Sequence, residues 1–403
     1  MQQYRTKILA SIPILIVVFF IGKWVYSYFT FEQTPRVLLC GITDQGYYKG
    51  TVDCILRGDN GYKISEIELL LDGKAFDFGR KKSVRRACFD IPFKVESTSL
   101  EDGMHVFQIL AKDGSYRSNT GMTQCAFYVD NSPLSVSFLD TDYAVSQGRT
   151  IHAKIVANKK LKQVKADLFG ATYFFYPESD GSKVYECFIP VDCEQHTGQH
   201  VIEASVEDNV GTILKLSANV KITPFNFPKA KRFHVSAEKL EEEKEVSMSA
   251  RILEDALERW VAESPKEKMW VGNFVMPCEV QRISTEFGEL RMTTQKGRYY
   301  HKAIDIVNHP KSVVWAGQRG KVIIKDRYLM SGNTVVLDHG IGIFSMYFHL
   351  NDFADIEVGD MLKKGAPVGT VGSTGYATAA HLHWEIRVNN MAVDPLQWVE
   401  KTF

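Results

Sequence analysis

Apolar residues fill positions 8–22 almost without a break, preceded by Arg5 and Lys7. Continued to Tyr28, this run predicts a helix about 31 Å long at about 1.5 Å per residue, enough to cross a bilayer. Lys23 falls near its end, where a lysine reaches the interface, and Trp24, Tyr26 and Tyr28 suit an outer aromatic belt. The bulky Trp24-Val25-Tyr26 stands where a cleaved signal would carry small residues, so residues 1–33 are expected to be an uncleaved, single-pass anchor and linker. The basic N-terminus places the start in the cytoplasm and the remainder outside it.

From residue 34 the apolar positions come in strand-length runs at 37–40, 48–56, 64–71, 87–93, 105–112 and 125–129. Asp59-Asn60-Gly61, Asp72-Gly73, Asp102-Gly103 and Asp113-Gly114 punctuate them as turn signals. This pattern predicts a β-sandwich over residues 34–131. It repeats at 135–138, 149–157, 163–168, 183–190, 200–208 and 212–222, predicting a second sandwich over residues 132–226. After Pro228 the period changes. Residues 238–245 are acidic with interspersed lysine, then Ile252, Leu253, Ala256, Leu257, Trp260 and Val261 recur at helical spacing. Residues 227–272 therefore read as a helical link. Such a stripe ordinarily packs on a neighbouring domain; the sharper expectation is that it lies beside a functional groove and limits access. From Phe274 strand-like runs return at 283–288, 312–315, 321–325, 334–337 and 344–348, giving a last antiparallel-β domain at 273–403. The fold class expected is mainly β.

Composition adds three restrictions. A chain of 403 residues suits two to four domains. Formal net charge is zero, which argues against a general nucleic-acid partner. The seven cysteines (Cys40, Cys54, Cys88, Cys125, Cys187, Cys193 and Cys278) show no Cys-x-x-Cys pair. In an exported chain some could pair, with at least one left over; buried free thiols are an equal expectation.

The chemistry gathers late in the chain. His381 and His383 sit two apart on a strand-like run and so share a sheet face. His301 and Asp305 are four apart, and His349 closes the apolar run 344–348. Two imidazoles and a carboxylate meet the needs of a catalytic zinc site with an open position, leaving two histidines to move protons. The same donors would also suit an Fe(II) facial triad, which the two additional histidines disfavour. His339 and His309 are expected to be satisfied core histidines, and Glu385 and Arg387 structural partners.

Two resemblances follow. Leu71-Asp72-Gly73, Asp102-Gly103-Met104-His105 and Val129-Asp130-Asn131-Ser132-Pro133 resemble bacterial immunoglobulin-like domains of cell-surface proteins. Residues 274–398 resemble the LytM/lysostaphin-type zinc peptidases of family M23. The carrying pieces are Ser284-Thr285-Glu286-Phe287-Gly288, His301-x-x-x-Asp305, Asp338-His339-Gly340, Tyr347-Phe348-His349-Leu350, Gly372-Ser373-Thr374-Gly375, His381-Leu382-His383 and Asp394-Pro395. Ala303 and Ala379-Ala380 depart from that pattern, standing where Gly and Gly-Pro are usual. The resemblance implies zinc on His301, Asp305 and His383, with His349 and His381 as catalytic histidines. It further implies hydrolysis of peptide bonds in bacterial cell-wall peptidoglycan by a metal-activated water. The implied setting is the cytoplasmic membrane, with the catalytic domain outside and envelope proteins as partners of the immunoglobulin-like modules. The alternative is a non-catalytic regulator of cell-wall hydrolases, or a surface binding protein, built on the same domain.

Overall fold

The computed structural model describes residues 19–30, 34–79, 84, 86–229, 237–293 and 297–403. Residues 19–30 are helical, whereas residues 1–18 and 31–33 of the expected anchor lie outside the described residues. Among the described residues no helix is long and apolar enough to cross a membrane. The chain divides into two compact units, Met1–Pro133 with Asn209–Gly211, and Leu134–Asp208 with Thr212–Phe403. It is mainly β, as the runs predict.

In the first unit the strand Thr51–Leu71 is the spine. It continues through Asp59-Asn60-Gly61, where the sequence predicts a turn. Its first half pairs with Arg86–Glu96 and its second with Gly103–Asp113, with register irregularities beginning at Asp59 and at Ile64. The irregularity absorbs the turn-forming residues without reversing the chain. Leu56, Ile64, Ile67 and Phe107 are among the side chains filling the core.

The second unit begins with two sheets packed face to face. One contains Val136–Phe138, Thr150–Ala157, Tyr176–Pro177 and Val184–Pro190; the other is centred on Leu161–Leu168, Gly198–Asp208 and Ile213–Thr223. Alternating residues such as Ile151, Ala153, Ile155, Val164 and Ile202 meet between them. The strand Val184–Pro190 is buried on both faces. Tyr185, Cys187 and Ile189 point into this core, while Phe188 joins Trp270, Trp398 and Phe403 in the core of the C-terminal sheet.

More polar contacts close the same seam. Glu186, fully buried, takes His152 Nε2 at 2.8 Å and Lys268 Nζ at 3.0 Å. Asp394 caps the short helix Pro395–Glu400 through Leu396 N–H and pairs with Arg149 at 3.1 Å. Gln397 exchanges two hydrogen bonds with the backbone of Thr150. Asp394-Pro395 thus serves as a structural clamp.

The C-terminal sheet runs Arg282–Thr285, Ile304–Val307, Leu382–Val388, Ile343–Leu350, Gly332–Asp338, Gly320–Tyr328 and Met361–Leu362, all antiparallel. One face buries Trp384, Ile386, Tyr347 and Leu337 in the main core. Val336, Phe344, Met346 and Phe348 lie on the other, where Leu253 and Leu257 of the helix Ala237–Glu263 cover them. Ile252, assigned to the apolar stripe by sequence, is instead 62% exposed, because it sits one position, about 100°, away from Leu253. All seven cysteines are free thiols. Burial pushes Cys187 and Cys278 far above the ordinary thiol range, leaving them inert apolar side chains.

Candidate metal centre

Three neighbouring strands build the centre. Asp305 lies directly opposite His383, and His383 directly opposite Phe348, so the three form one row across the sheet. His301 enters from just before Ile304–Val307. Its N–H donates to Glu289 O at 3.0 Å, and its C=O accepts from Gly288 N–H at 2.7 Å, which fixes its backbone. The result brings His301 Nε2, Asp305 Oδ1 and His383 Nδ1 together, separated by 3.2, 3.0 and 3.3 Å. Among the described residues this is the group able to hold a metal ion.

The spacing tests what fits. Bonds of about 2.0–2.1 Å to a tetrahedral zinc would hold adjacent donors about 3.3 Å apart, close to all three separations. The donor chemistry agrees. His383 Nε2–H donates to Glu385 Oε1 at 3.0 Å, which leaves the Nδ1 lone pair for a ligand bond. Burial raises the cost of charge on Asp305, yet His301 and His383 hold its carboxyl far below the usual range. Burial likewise opposes charge on His383, but Asp305 and Glu385 overcome it and raise the imidazole to about 9. The pocket therefore demands a cation at Nδ1, whether a proton or a metal.

Outside this triangle stand two more histidines. Strand alternation alone would put Phe348 and His349 on opposite faces. A bulge intervenes, since three steps from Leu350 to Tyr347 face two from Asn333 to Val335. His349 has φ 59°, a left-handed backbone, and its N–H is held by Ser331 O. Its ring thereby comes to 4.8 Å from that of His381 and 5.8 Å from that of His383. Bulges commonly re-aim side chains beside sites in this manner. His349 Nδ1–H donates to Thr374 O at 2.8 Å, leaving Nε2 unprotonated. Burial, then the neighbouring His383 and His381, lower it to about 3, so it is neutral. His381 lies just before the strand Leu382–Val388, its backbone held by Gly372 O. Its Nδ1–H donates to Ala379 O at 2.8 Å, and its Nε2 is 3.8 Å from Asp305 Oδ1.

All five residues singled out by sequence therefore converge. His339 does not join them; it is a satisfied core histidine, bonded to Arg319 O and Ser345 Oγ and lowered by burial to about 4. His309 corrects its expectation, being exposed on a turn rather than buried. Ala303 is buried with φ outside the left-handed region, so this backbone makes no demand for glycine there. Sequence reasoning missed the Phe348 ring, which stacks on His383 at 5.1 Å with an interplanar angle of 4°. It also missed the depth of support behind His383. Arg387 Nε donates to Glu385 Oε2 at 2.7 Å, and Glu385 is held ionised at about 2 against its burial by Arg387 and His383. The period of two at 383, 385 and 387 was the available signal.

Residues 299–395 match the Peptidase family M23 model, and the chain carries a peptidase M23 domain there. The DD-carboxypeptidase/endopeptidase Mpg of Neisseria meningitidis is 33% identical over 122 residues, which are 30% of this chain and 28% of that protein. The peptidoglycan DD-endopeptidase ShyC of Vibrio cholerae is 30% identical over 120 residues, again 30% of this chain and 28% of the relative. The matched stretch thus spans less than a third of these relatives. A solved peptidase M23 structure from Pseudomonas aeruginosa is 21% identical, covers 63% of this chain and 94% of its own, and has a TM-score of 0.42.

Proposed function

We propose that this chain is a zinc metalloendopeptidase that hydrolyses peptide bonds of bacterial cell-wall peptidoglycan. The observation that carries the reading is the triangle of His301, Asp305 and His383 donors at 3.0–3.3 Å, with two histidines beside it. The names of the relatives support the substrate class. His301, Asp305 and His383 would hold the ion. When bound, zinc would supply Lewis acidity and acidify water at its open position.

The chain's own groups do the rest. His349 and His381 each spend Nδ1–H on a backbone carbonyl, so each presents Nε2 for proton transfer. The two rings stand 4.8 Å apart, and between them their Nε2 atoms are placed to take the proton that the attacking water loses and to pass it to the leaving amine. His381 Nε2 lies 3.8 Å from Asp305 Oδ1, at the edge of the donor triangle. Asp305 stays anionic throughout, which stabilises positive charge on either imidazole.

The apolar N-terminal run supports an anchor in the cytoplasmic membrane, with the catalytic domain outside. Residues 34–131 are then an immunoglobulin-like spacer and residues 132–226 an immunoglobulin-like module packed on the catalytic sheet, both able to engage envelope proteins. Digestion of purified cell-wall material by the full chain, with and without chelator, tests the activity. Peptide-bond cleavage that chelator abolishes and zinc restores is expected. No cleavage with zinc restored would overturn the reading and favour the regulator.

A further inference from the structure

Glu254, on the helix Ala237–Glu263, lies outside the donor triangle and outside the segment matched to the peptidase family. Charged contacts nevertheless link it to the triangle without a gap. Its two oxygens accept from Arg387 Nη1 at 2.6 Å and Nη2 at 2.9 Å, a bidentate fork. Arg387 donates in turn to Glu385, and Glu385 accepts from His383 Nε2–H. The arginine side chain is 8% exposed, and Asn390 Oδ1 takes a further bond from Nη1. A second route is apolar. Leu253 and Leu257, either side of Glu254, pack in one cluster with Met346 and Phe348, and the Phe348 ring lies flat on the His383 imidazole. One ring face and one ring nitrogen of His383 are thus set by groups that this helix braces.

We propose that Glu254 is a positioning residue for His383, and that docking of its helix sets how tightly the centre holds its metal. The inference rests on the metallopeptidase reading above. Without Glu254, Arg387 keeps Glu385 as its one carboxylate partner and its guanidinium gains freedom to swing. Glu385 then loses its fixed orientation, and with it the ring angle of His383. Glu254→Gln keeps an oxygen for Arg387 to donate to, and the guanidinium retains Glu385 and Asn390, so the fold survives the change. Loss of orientation and loss of folding are therefore separable.

The test uses the full chain with zinc alone, measured by competition with a chromophoric chelator. Partners bonded directly to metal-ligating histidines typically matter about 10–100-fold for affinity, so Glu254→Gln, further out, should weaken zinc by about 3–10-fold. Its cobalt-substituted form should show an altered absorption spectrum in the visible, while the metal-free protein still unfolds cooperatively within a few degrees of the wild-type midpoint. Glu258→Gln, an exposed position on the same helix, removes the same charge and should leave zinc affinity and spectrum unchanged. Wild-type affinity and spectrum in Glu254→Gln overturn the inference, as does equal weakening in both variants. Zinc binding by the wild type keeps those failures distinct from failure of the metallopeptidase reading. A wild-type chain that holds no zinc overturns both.

Discussion

Replacing His349 by Ala should abolish most hydrolysis while leaving the metal in place. Its ring centroid is 5.8 Å from that of His383, and none of the 3.0–3.3 Å separations in the donor triangle involves it. Zinc per chain after desalting should therefore equal the wild-type value. Loss of a positioned acid–base group costs roughly 10²–10⁴-fold in rate, or about 2.7–5.4 kcal/mol in the barrier. Backbone distortion must be separated from this. At φ 59° an alanine carries the same left-handed strain as the histidine, about 1–2 kcal/mol, whereas glycine carries almost none. His349→Gly should thus lose as much activity as His349→Ala. Peptide release from purified cell wall, read beside atomic spectroscopy for zinc, measures both quantities. His383→Ala, which removes one donor of three, should lose metal and cleavage together. If His349→Ala sheds zinc as readily as His383→Ala, the division between ligand and proton-handling histidines is wrong.

Two further outcomes are expected. Metal-free His383 is held protonated up to about pH 9, so zinc binding at neutral pH must displace that proton. Apparent zinc affinity should then rise about tenfold per pH unit below about 9 and flatten above it, with proton release visible by calorimetry in two buffers. Affinity independent of pH between about 6 and about 8 would contradict this. Gly288→Ala should lower the thermal midpoint by several degrees, because φ there is 74° and a Cβ would collide with the Phe227 ring. The two penalties, left-handed strain and overpacking, come to about 2–5 kcal/mol. An unchanged midpoint would mean that Phe227 moves aside at no cost.

The donor set was legible because its chemistry is local. His301 and Asp305 are four apart, His381 and His383 two apart, and few other roles ask for that combination. Strand runs and turn dipeptides likewise revealed a mainly β chain. What escaped was non-local. The row Asp305, His383, Phe348 exists only once three strands adopt one register, and no single stretch of sequence encodes that. The bulge that turns His349 inward has no glycine or proline to announce it. Glu254 carries no local signal, since its partner Arg387 lies 133 positions away. Thr51–Leu71 shows the converse error, a strong turn signal that tertiary pairing overrode.

The doubly buried strand Val184–Pro190 bears on how this protein could be inherited or cut. Phe188 is as much a part of the C-terminal core as Trp398, and Glu186 neutralises a lysine beyond residue 263. A gene fragment beginning near residue 273 would encode a domain with an open wound, an aromatic face of Phe274, Trp398 and Phe403 stripped of Phe188 and Trp270. The smallest portable piece starts at Leu134. Any rearrangement that moves the catalytic sheet intact would have to carry its β-sandwich companion with it.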